Sequence, residues 1–226
     1  MSQGQRGHLA LVGGSEWTPG CSFDAELWEA SGRADVVVLP TASAYEHPER
    51  SVQVATSWFA GLGAKVRGLM VLTRADAMDR EAAAAVRAAR FLYLGGGSPM
   101  HLRSVLKDSP VWSALTDAWR DGAVVAGSSA GAMVLGDPMV DARGGALTLG
   151  LGLIDHLAVL PHHDTWSEEK AHRTVQLATG HLRIAAIDER TALIRDPDAN
   201  WKRSGAGEVT VYVDGRPAGL GALSTR

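Results

Sequence analysis

The sequence predicts an α/β fold: a doubly wound, mostly parallel sheet flanked by helices, with a β-hairpin near the C-terminal end. Short apolar, β-branched runs alternate with longer helix-like stretches through the first half of the chain. The runs are nearly continuously apolar rather than alternating, which is typical of strands buried on both faces of a parallel sheet. The regular alternation of strand and helix indicates βαβ crossovers, and such sheets bind ligands at the carboxyl ends of their strands.

The predicted elements follow one another without a linker, a repeat or a low-complexity segment. In the first half the strands are residues 8–12, 35–39, 65–72, 91–94 and 123–126, and the helices are 23–30, 48–62, 79–89 and 99–120, the last with a break at Pro110. The second half is less regular. It contains predicted strands at 157–160, 184–187 and 191–194, a helix at 167–179 that begins at Ser167, and a hairpin at 208–216.

The length and charge of the chain limit the function classes. A chain of 226 residues suits one large domain, which we place at 1–226. A net charge of −3 and a pI of about 6.2 argue against nucleic acid or an anionic membrane as partner. Cys21 is the single cysteine, so no internal disulfide forms. With no signal-peptide pattern and no apolar run long enough to span a bilayer, a cytoplasmic location is expected.

The chemistry-bearing motif is Gly127-Ser128-Ser129-Ala130-Gly131, directly after the predicted strand 123–126. It fits the nucleophile-elbow pattern G-x-S-x-G. A serine on a tight strand-to-helix turn projects above the sheet, beside the free N–H groups of the following helix. Ser129 is therefore the predicted nucleophile, and the Ala130 N–H is the predicted first donor to an oxyanion.

A glycine triplet closes the preceding predicted strand. Gly96 and Gly97 would lie beside the elbow in a parallel sheet, where either amide could supply a second oxyanion donor. The alternative interpretation of the triplet is a loop-to-helix turn with no ligand.

A serine hydroxyl needs a base, and histidine is the usual one near neutral pH. His162 and His163 follow the predicted strand 157–160, downstream of the serine. A third group should orient the base. Two carboxylates between serine and histidine are candidates, Asp137 and Asp141; Asp164 and Glu189 are further options, and spacing does not choose among them.

The motifs together resemble the dipeptidase E and cyanophycinase family of serine peptidases. They occur in this order: Gly95-Gly96-Gly97-Ser98, Gly127-Ser128-Ser129-Ala130-Gly131-Ala132, Gly150-Leu151-Gly152-Leu153, Pro161-His162 and Ile187-Asp188-Glu189-Arg190-Thr191-Ala192-Leu193. The resemblance implies a fold like that of class I glutamine amidotransferases. It implies Ser129 as nucleophile, His162 as base, and an oxyanion hole made by Ala130 and by Gly96 or Gly97.

The resemblance also bears on the acid and the substrate. The family places its Asp or Glu between serine and histidine, here an interval of 33 residues. That makes Asp141 the first candidate and Asp137 the second. Ser98 stands where characterised members carry Asn or Gln, and a hydroxyl lacks the reach of a carboxamide. Strict Asp-X or cyanophycin specificity is therefore not expected. The family needs neither metal nor cofactor, and none is predicted.

The predicted function is a serine hydrolase that cleaves a small peptide or amide, with a homodimer as one option for its assembly. Three alternatives compete with it. An esterase of the α/β-hydrolase type usually places its histidine near the C-terminus, whereas no histidine follows His181. A non-enzymatic small-molecule-binding module is the second. A metal site at His156, His162, His163 and Asp164 is the third, although adjacent residues of a strand point to opposite sides.

Overall fold

A computed structural model describes residues 6–141, 143–165, 173–176 and 179–224 of the chain. The strands are β1 Leu9–Val12, β2 Val36–Leu39, β3 Val66–Gly68, β4 Phe91–Leu94, β5 Val124–Ser128, β6 Gly136–Asp137, β7 Met139–Val140, β8 Leu147–Thr148, β9 Ile154–Asp155, β10 Leu157–Leu160, β11 Arg183–Ile187, β12 Thr191–Arg195, β13 Trp201–Gly205, β14 Val209–Val213 and β15 Arg216–Ala218. The α-helices are α1 Phe23–Ala30, α2 Pro48–Gly61, α3 Arg74–Ala77, α4 Arg80–Ala88, α5 Pro99–Leu106, α6 Pro110–Arg120 and α7 Ala130–Leu135, with short 3-10 helices at Thr41–Ser43 and Leu220–Leu223.

The main sheet has seven strands in the order β13-β12-β1-β5-β4-β2-β3. Five of them, β1 to β5, run parallel; β12 pairs antiparallel with β1, and β13 pairs antiparallel with β12. Alternate residues of β1, β2, β4 and β5 enter different cores: in β1, Leu9 and Leu11 pack on one face, Ala10 and Val12 on the other. The prediction of a mostly parallel sheet buried on both faces is confirmed.

Helices cover both faces of this sheet. Phe23 of α1 and Phe59 of α2 belong to one core, whereas Leu102 of α5, Leu115 of α6 and Val134 of α7 belong to the other. The predicted break in residues 99–120 is real. It occurs because Ser109 caps α6, its hydroxyl accepting the Trp112 N–H at 3.0 Å, and Pro110 occupies the first turn, where a missing N–H costs nothing.

A second, six-stranded sheet was not predicted. Its order is β15-β14-β11-β10-β6-β9, and a small third sheet pairs β7 with β8. The predicted strands 184–187 and 191–194 exist but belong to different sheets, β11 to the second and β12 to the first. The predicted terminal hairpin is β14 and β15. Most of the predicted helix 167–179 lies outside the described residues; residues 173–176 are helical.

Within the part of the chain that the structure describes, none of the helices combines the length and the apolarity that crossing a bilayer requires.

Candidate active site

Ser129 stands at the turn between β5 and α7. Its backbone has φ 48° and ψ −108°, a sparsely populated combination for a residue with a side chain. The Ser129 N–H is held by the Val12 carbonyl of β1 at 2.9 Å, which fixes the turn against the neighbouring strand. This is the strained strand-to-helix geometry expected of a nucleophile elbow.

The glycines of the motif are required by close packing. A Cβ on Gly127 would lie 2.6 Å from the Gly131 carbonyl carbon, and a Cβ on Gly131 would lie 2.3 Å from the Leu94 oxygen. Only glycine lets β5, α7 and the end of β4 approach this closely. The sequence motif therefore encodes the contact between the elbow and the strand that carries the glycine triplet.

His162 reaches the serine from the second sheet. It follows β10, has φ 54°, and its N–H is held by the Gly13 carbonyl at 2.7 Å. The Nε2 atom of His162 lies 2.8 Å from Ser129 Oγ. The structure brings the two residues together as the sequence indicated, but across two sheets rather than along one sheet edge.

The carboxylate beside the histidine is Glu189, in the turn between β11 and β12. Its Oε1 lies 2.8 Å from His162 Nδ1, and its Oε2 accepts a hydrogen bond from the Ser15 hydroxyl at 2.7 Å. The Ser15 hydrogen bond, followed by the contact with His162, lowers the pKa of Glu189. An ionised Glu189 favours the tautomer in which His162 carries its proton on Nδ1, leaving Nε2 free to accept one from Ser129.

The two acids favoured from the sequence, Asp141 and Asp137, do not contact His162. Asp141 pairs with the Arg143 guanidinium at 2.7 Å, and that contact lowers the pKa of Asp141 to about 2. Asp137 accepts the Gly150 N–H at 2.8 Å. Asp164 has a supporting position, since its carboxylate accepts the Glu189 N–H at 3.0 Å.

His163 is paired with Asp188. Its Nδ1 lies 3.5 Å from an oxygen of Asp188. Among the described residues, no group of three or more His, Cys, Asp or Glu side chains is arranged to hold a metal ion.

The backbone N–H groups near Ser129 are of two kinds: occupied ones, which already donate to an acceptor, and open ones, which do not. The Gly96 N–H donates to Glu16 Oε1 at 2.9 Å. The Gly97 and Ala130 N–H groups have no acceptor within the described ranges of the chain. The Ser98 hydroxyl caps α5 by accepting the His101 N–H at 3.3 Å. Of the two glycine amides that the sequence offered, Gly97 is the open one.

Two residues of the site were missed from the sequence, Ser15 and Glu16. Both follow Gly13-Gly14 at the end of β1, so a polar pair after a strand-ending glycine pair was the available signal.

Glu16 also lines a pocket of about 260 Å³ together with Trp17 and α2 residues that include Arg50 and Ser51. A larger pocket of about 360 Å³, lined by His156, His181 and neighbouring residues, contains none of Ser129, His162 and Glu189.

Comparisons with known proteins agree on one family. A model of peptidase family S51 matches residues 9–200. Cyanophycinase from Synechococcus elongatus is 28% identical over 222 residues, which cover 92% of this chain and 68% of the relative. Cyanophycinase from Geminocystis herdmanii (strain PCC 6308) is 26% identical, with 96% and 84% covered.

Two solved structures share the fold. A peptidase from an acI-B1 Actinobacterium superposes with a TM-score of 0.84 at 29% identity, covering 96% of this chain and 95% of its own. A Listeria monocytogenes EGD-e protein, provisionally assigned as peptidase E, shares the fold with a TM-score of 0.65 at 20% identity, covering 91% and 98%.

Proposed function

Because the chain belongs to peptidase family S51 and is thereby a serine-type peptidase, we propose that it cleaves a peptide or amide bond of a small substrate through an acyl-enzyme on Ser129. The observation that carries the proposal is the chain of contacts from Ser129 Oγ through His162 to Glu189, with both hydrogen bonds at 2.8 Å. It joins a nucleophile, a base and an orienting carboxylate in the order that serine hydrolysis requires.

In the first half-reaction His162 Nε2 accepts the Ser129 hydroxyl proton while Oγ attacks the substrate carbonyl carbon. The carbonyl oxygen becomes negatively charged, and the open N–H groups of Ala130 and Gly97 stabilise it. The C–N bond then breaks as His162 returns the proton to the leaving amine. The products of this half are the free amine and an ester between the acyl group and Ser129.

The second half-reaction repeats these roles with water. His162 takes a proton from a water molecule as the water oxygen attacks the ester carbon. It gives that proton to Ser129 Oγ when the bond to the acyl group breaks and the carboxylic acid product leaves. Glu189 stays ionised throughout and holds the imidazolium that forms transiently.

The identity of the substrate follows less directly from the family. Cyanophycinase is the name of the relatives, and this chain has Ser98 after its glycine triplet, with the hydroxyl occupied in the cap of α5. A hydroxyl so engaged does not offer the two-point contact of a carboxamide. We therefore extend the proposal to small peptides or amides and not to cyanophycin.

A fluorophosphonate probe tests the proposal. Wild-type protein should be labelled once, with the probe on the peptide that contains Ser129, and Ser129→Ala should not be labelled. Ser113→Ala, which removes an unrelated hydroxyl on α6, is the matched control and should label like wild type.

Turnover of a dipeptide and aminoacyl-amide panel should disappear together with labelling in Ser129→Ala. Absence of both labelling and turnover in wild-type protein would support a non-enzymatic binding module instead. Turnover of esters alone would support an esterase.

A further inference from the structure

The loop after β1, residues 13–17, touches each part of the candidate site; we call it the first loop. The Gly13 carbonyl accepts the His162 N–H at 2.7 Å, and the Ser15 hydroxyl donates to Glu189 at 2.7 Å. Ser15 and Trp17 adopt left-handed φ values of 51° and 58°, so the loop holds a strained conformation between them. The residue between these two is Glu16.

The Glu16 carboxylate bridges the two segments that flank the reactive hydroxyl. Its Oε1 accepts the Gly96 N–H at 2.9 Å, and its Oε2 accepts the Ser128 hydroxyl at 2.8 Å. Ser128 is fully buried and directly precedes the nucleophile. Gly96 directly precedes Gly97, whose amide is open. One side chain therefore links the elbow to the glycine triplet.

The position of Gly96 shows how close this bridge is to the chemistry. A Cβ built there would lie 3.2 Å from Glu16 Oε1 and 3.6 Å from the Ser129 Cβ. The peptide group between Gly96 and Gly97 consequently lies beside the nucleophile. Glycine loops have little conformational preference of their own, so this peptide needs an external contact to hold its orientation.

We propose that Glu16 is a positioning residue: by binding the Gly96 N–H and the Ser128 hydroxyl, it fixes the peptide that presents the Gly97 N–H to the oxyanion. The inference rests on the proposed function, because it assigns Glu16 a role only if an oxyanion forms at Ser129. Glu16 acts through Gly96 and Ser128 and touches no reacting atom in this role.

The expected effects follow from the geometry of the bridge. Loss of one oxyanion donor costs about 10²- to 10³-fold in kcat, so a misplaced Gly97 amide should cost about 10- to 100-fold. In Glu16→Gln the amide oxygen can accept the Gly96 N–H and the NH₂ can donate to Ser128 Oγ, which keeps both contacts without the charge. Glu16→Asp keeps the charge but shortens the side chain by about 1.5 Å, so it loses the bridge.

The experiment measures kcat and KM on the peptide or amide that wild type cleaves, and the affinity for a peptide aldehyde, whose adduct with Ser129 places an oxyanion in the hole. Glu16→Asp and Glu16→Ala should lower kcat and aldehyde affinity about 10- to 100-fold, with KM changed less than about threefold. Glu16→Gln should stay within about fivefold of wild type. Glu46→Ala is the matched control, because Glu46 is an exposed carboxylate on the same pocket and makes no side-chain hydrogen bond among the described residues.

Any other pattern of kinetic results contradicts the inference. Activity retained in Glu16→Asp but lost in Glu16→Gln would show that charge, not reach, matters. A higher KM at unchanged kcat would make Glu16 a substrate contact. A gain in activity in Glu16→Ala would mean that Glu16 blocks Gly96 as the true donor.

Two measurements keep the inference separate from folding and from the proposed function. Unfolding midpoints identify any variant that fails to fold, and the comparison of Glu16→Gln with Glu16→Asp decides the question even if Glu16→Ala does not fold. If wild type labels at Ser129 and all Glu16 variants have wild-type kcat, the positioning role fails alone. If wild type does not label at Ser129, the proposed function fails first.

Discussion

Replacement of Gly14 by alanine should separate His162 from Ser129 while both residues keep their identity. Gly14 has φ +129°, and a Cβ there would lie 2.2 Å from Cε1 of the His162 ring. Ordinary van der Waals contact begins at 3.4 Å, so the ring must withdraw by about 1 Å. The backbone cannot absorb this shift easily, because the Gly14 carbonyl holds the Arg190 N–H at 2.9 Å, beside Glu189.

The size of the effect follows from that displacement. A reacting group misplaced by 1 Å costs about 10²-fold in rate, equivalent to about 2.7 kcal/mol of transition-state stabilisation. The 2.8 Å contact between His162 Nε2 and Ser129 Oγ would be lengthened beyond hydrogen-bonding range. We expect the rate constant of fluorophosphonate labelling to fall by about 100-fold in Gly14→Ala.

The assay compares labelling rates of wild type, Gly14→Ala and Gly20→Ala, each with its urea unfolding curve. Gly20 is the matched control, since it also has a positive φ, of 110°, but the atoms nearest to a Cβ there are the Ala206 Cβ at 3.2 Å and two Arg190 carbon atoms beyond it. Gly20→Ala therefore introduces the same kind of backbone strain but places no atom against the His162 ring. Labelling within threefold of wild type in a folded Gly14→Ala would refute the reasoning that Gly14 leaves the space the imidazole needs.

Two further predictions address the acid and a buried carboxyl. Glu189→Gln should lower kcat by about 10³- to 10⁴-fold, because a carboxamide does not hold the required His162 tautomer; Asp141→Asn should label at the wild-type rate, and the reverse ranking would restore Asp141 as the acid. Burial raises the pKa of Asp24 to about 8, and a hydrogen bond from Trp58 opposes this increase. The folded protein therefore binds the Asp24 proton more tightly than the unfolded chain does, and this contribution to stability is present at low pH. It is lost as pH rises from about 4 to 8, by up to about 1.4 kcal/mol per pH unit. Urea unfolding between pH 5 and 7.5 should therefore show a shallower loss of stability in Asp24→Asn than in wild type or in Asp35→Asn, an exposed control; equal slopes in all three proteins would contradict it.

The first half of the fold was predictable because each signal is local. A strand such as Val36–Leu39 has one long apolar run, and α5 and α6 each begin with a serine cap followed by proline. These features depend on a few neighbouring residues and on no distant contact. The second sheet was not predictable in this way, since β6 and β9 are two residues each and exist only through pairing with β10 and with each other.

The elbow and the histidine could be identified from the sequence for the same reason, whereas Glu189, the proposed acid, was only one of four options. Ser129 is marked by glycines that its own turn requires, and His162 by a strand end. The acid is defined only by its distance from the His162 ring, a tertiary quantity. Sequence order favoured Asp141, but that side chain is satisfied locally by Arg143.

The proposed acid, Glu189, lies at the site because the two sheets meet there. β11 belongs to the second sheet and β12 to the first, so the turn between them, which carries Glu189, crosses the junction. His162 enters from β10, the parallel neighbour of β11, and Ser129 from β5 of the main sheet. The first loop then ties all three together through Gly13, Ser15 and Glu16, which explains why so short a segment makes contacts to every part of the site. A substitution in this loop should accordingly disturb the proposed catalysis more than one in a helix of the same burial, since the loop contacts the segments that carry Ser129, His162 and Glu189.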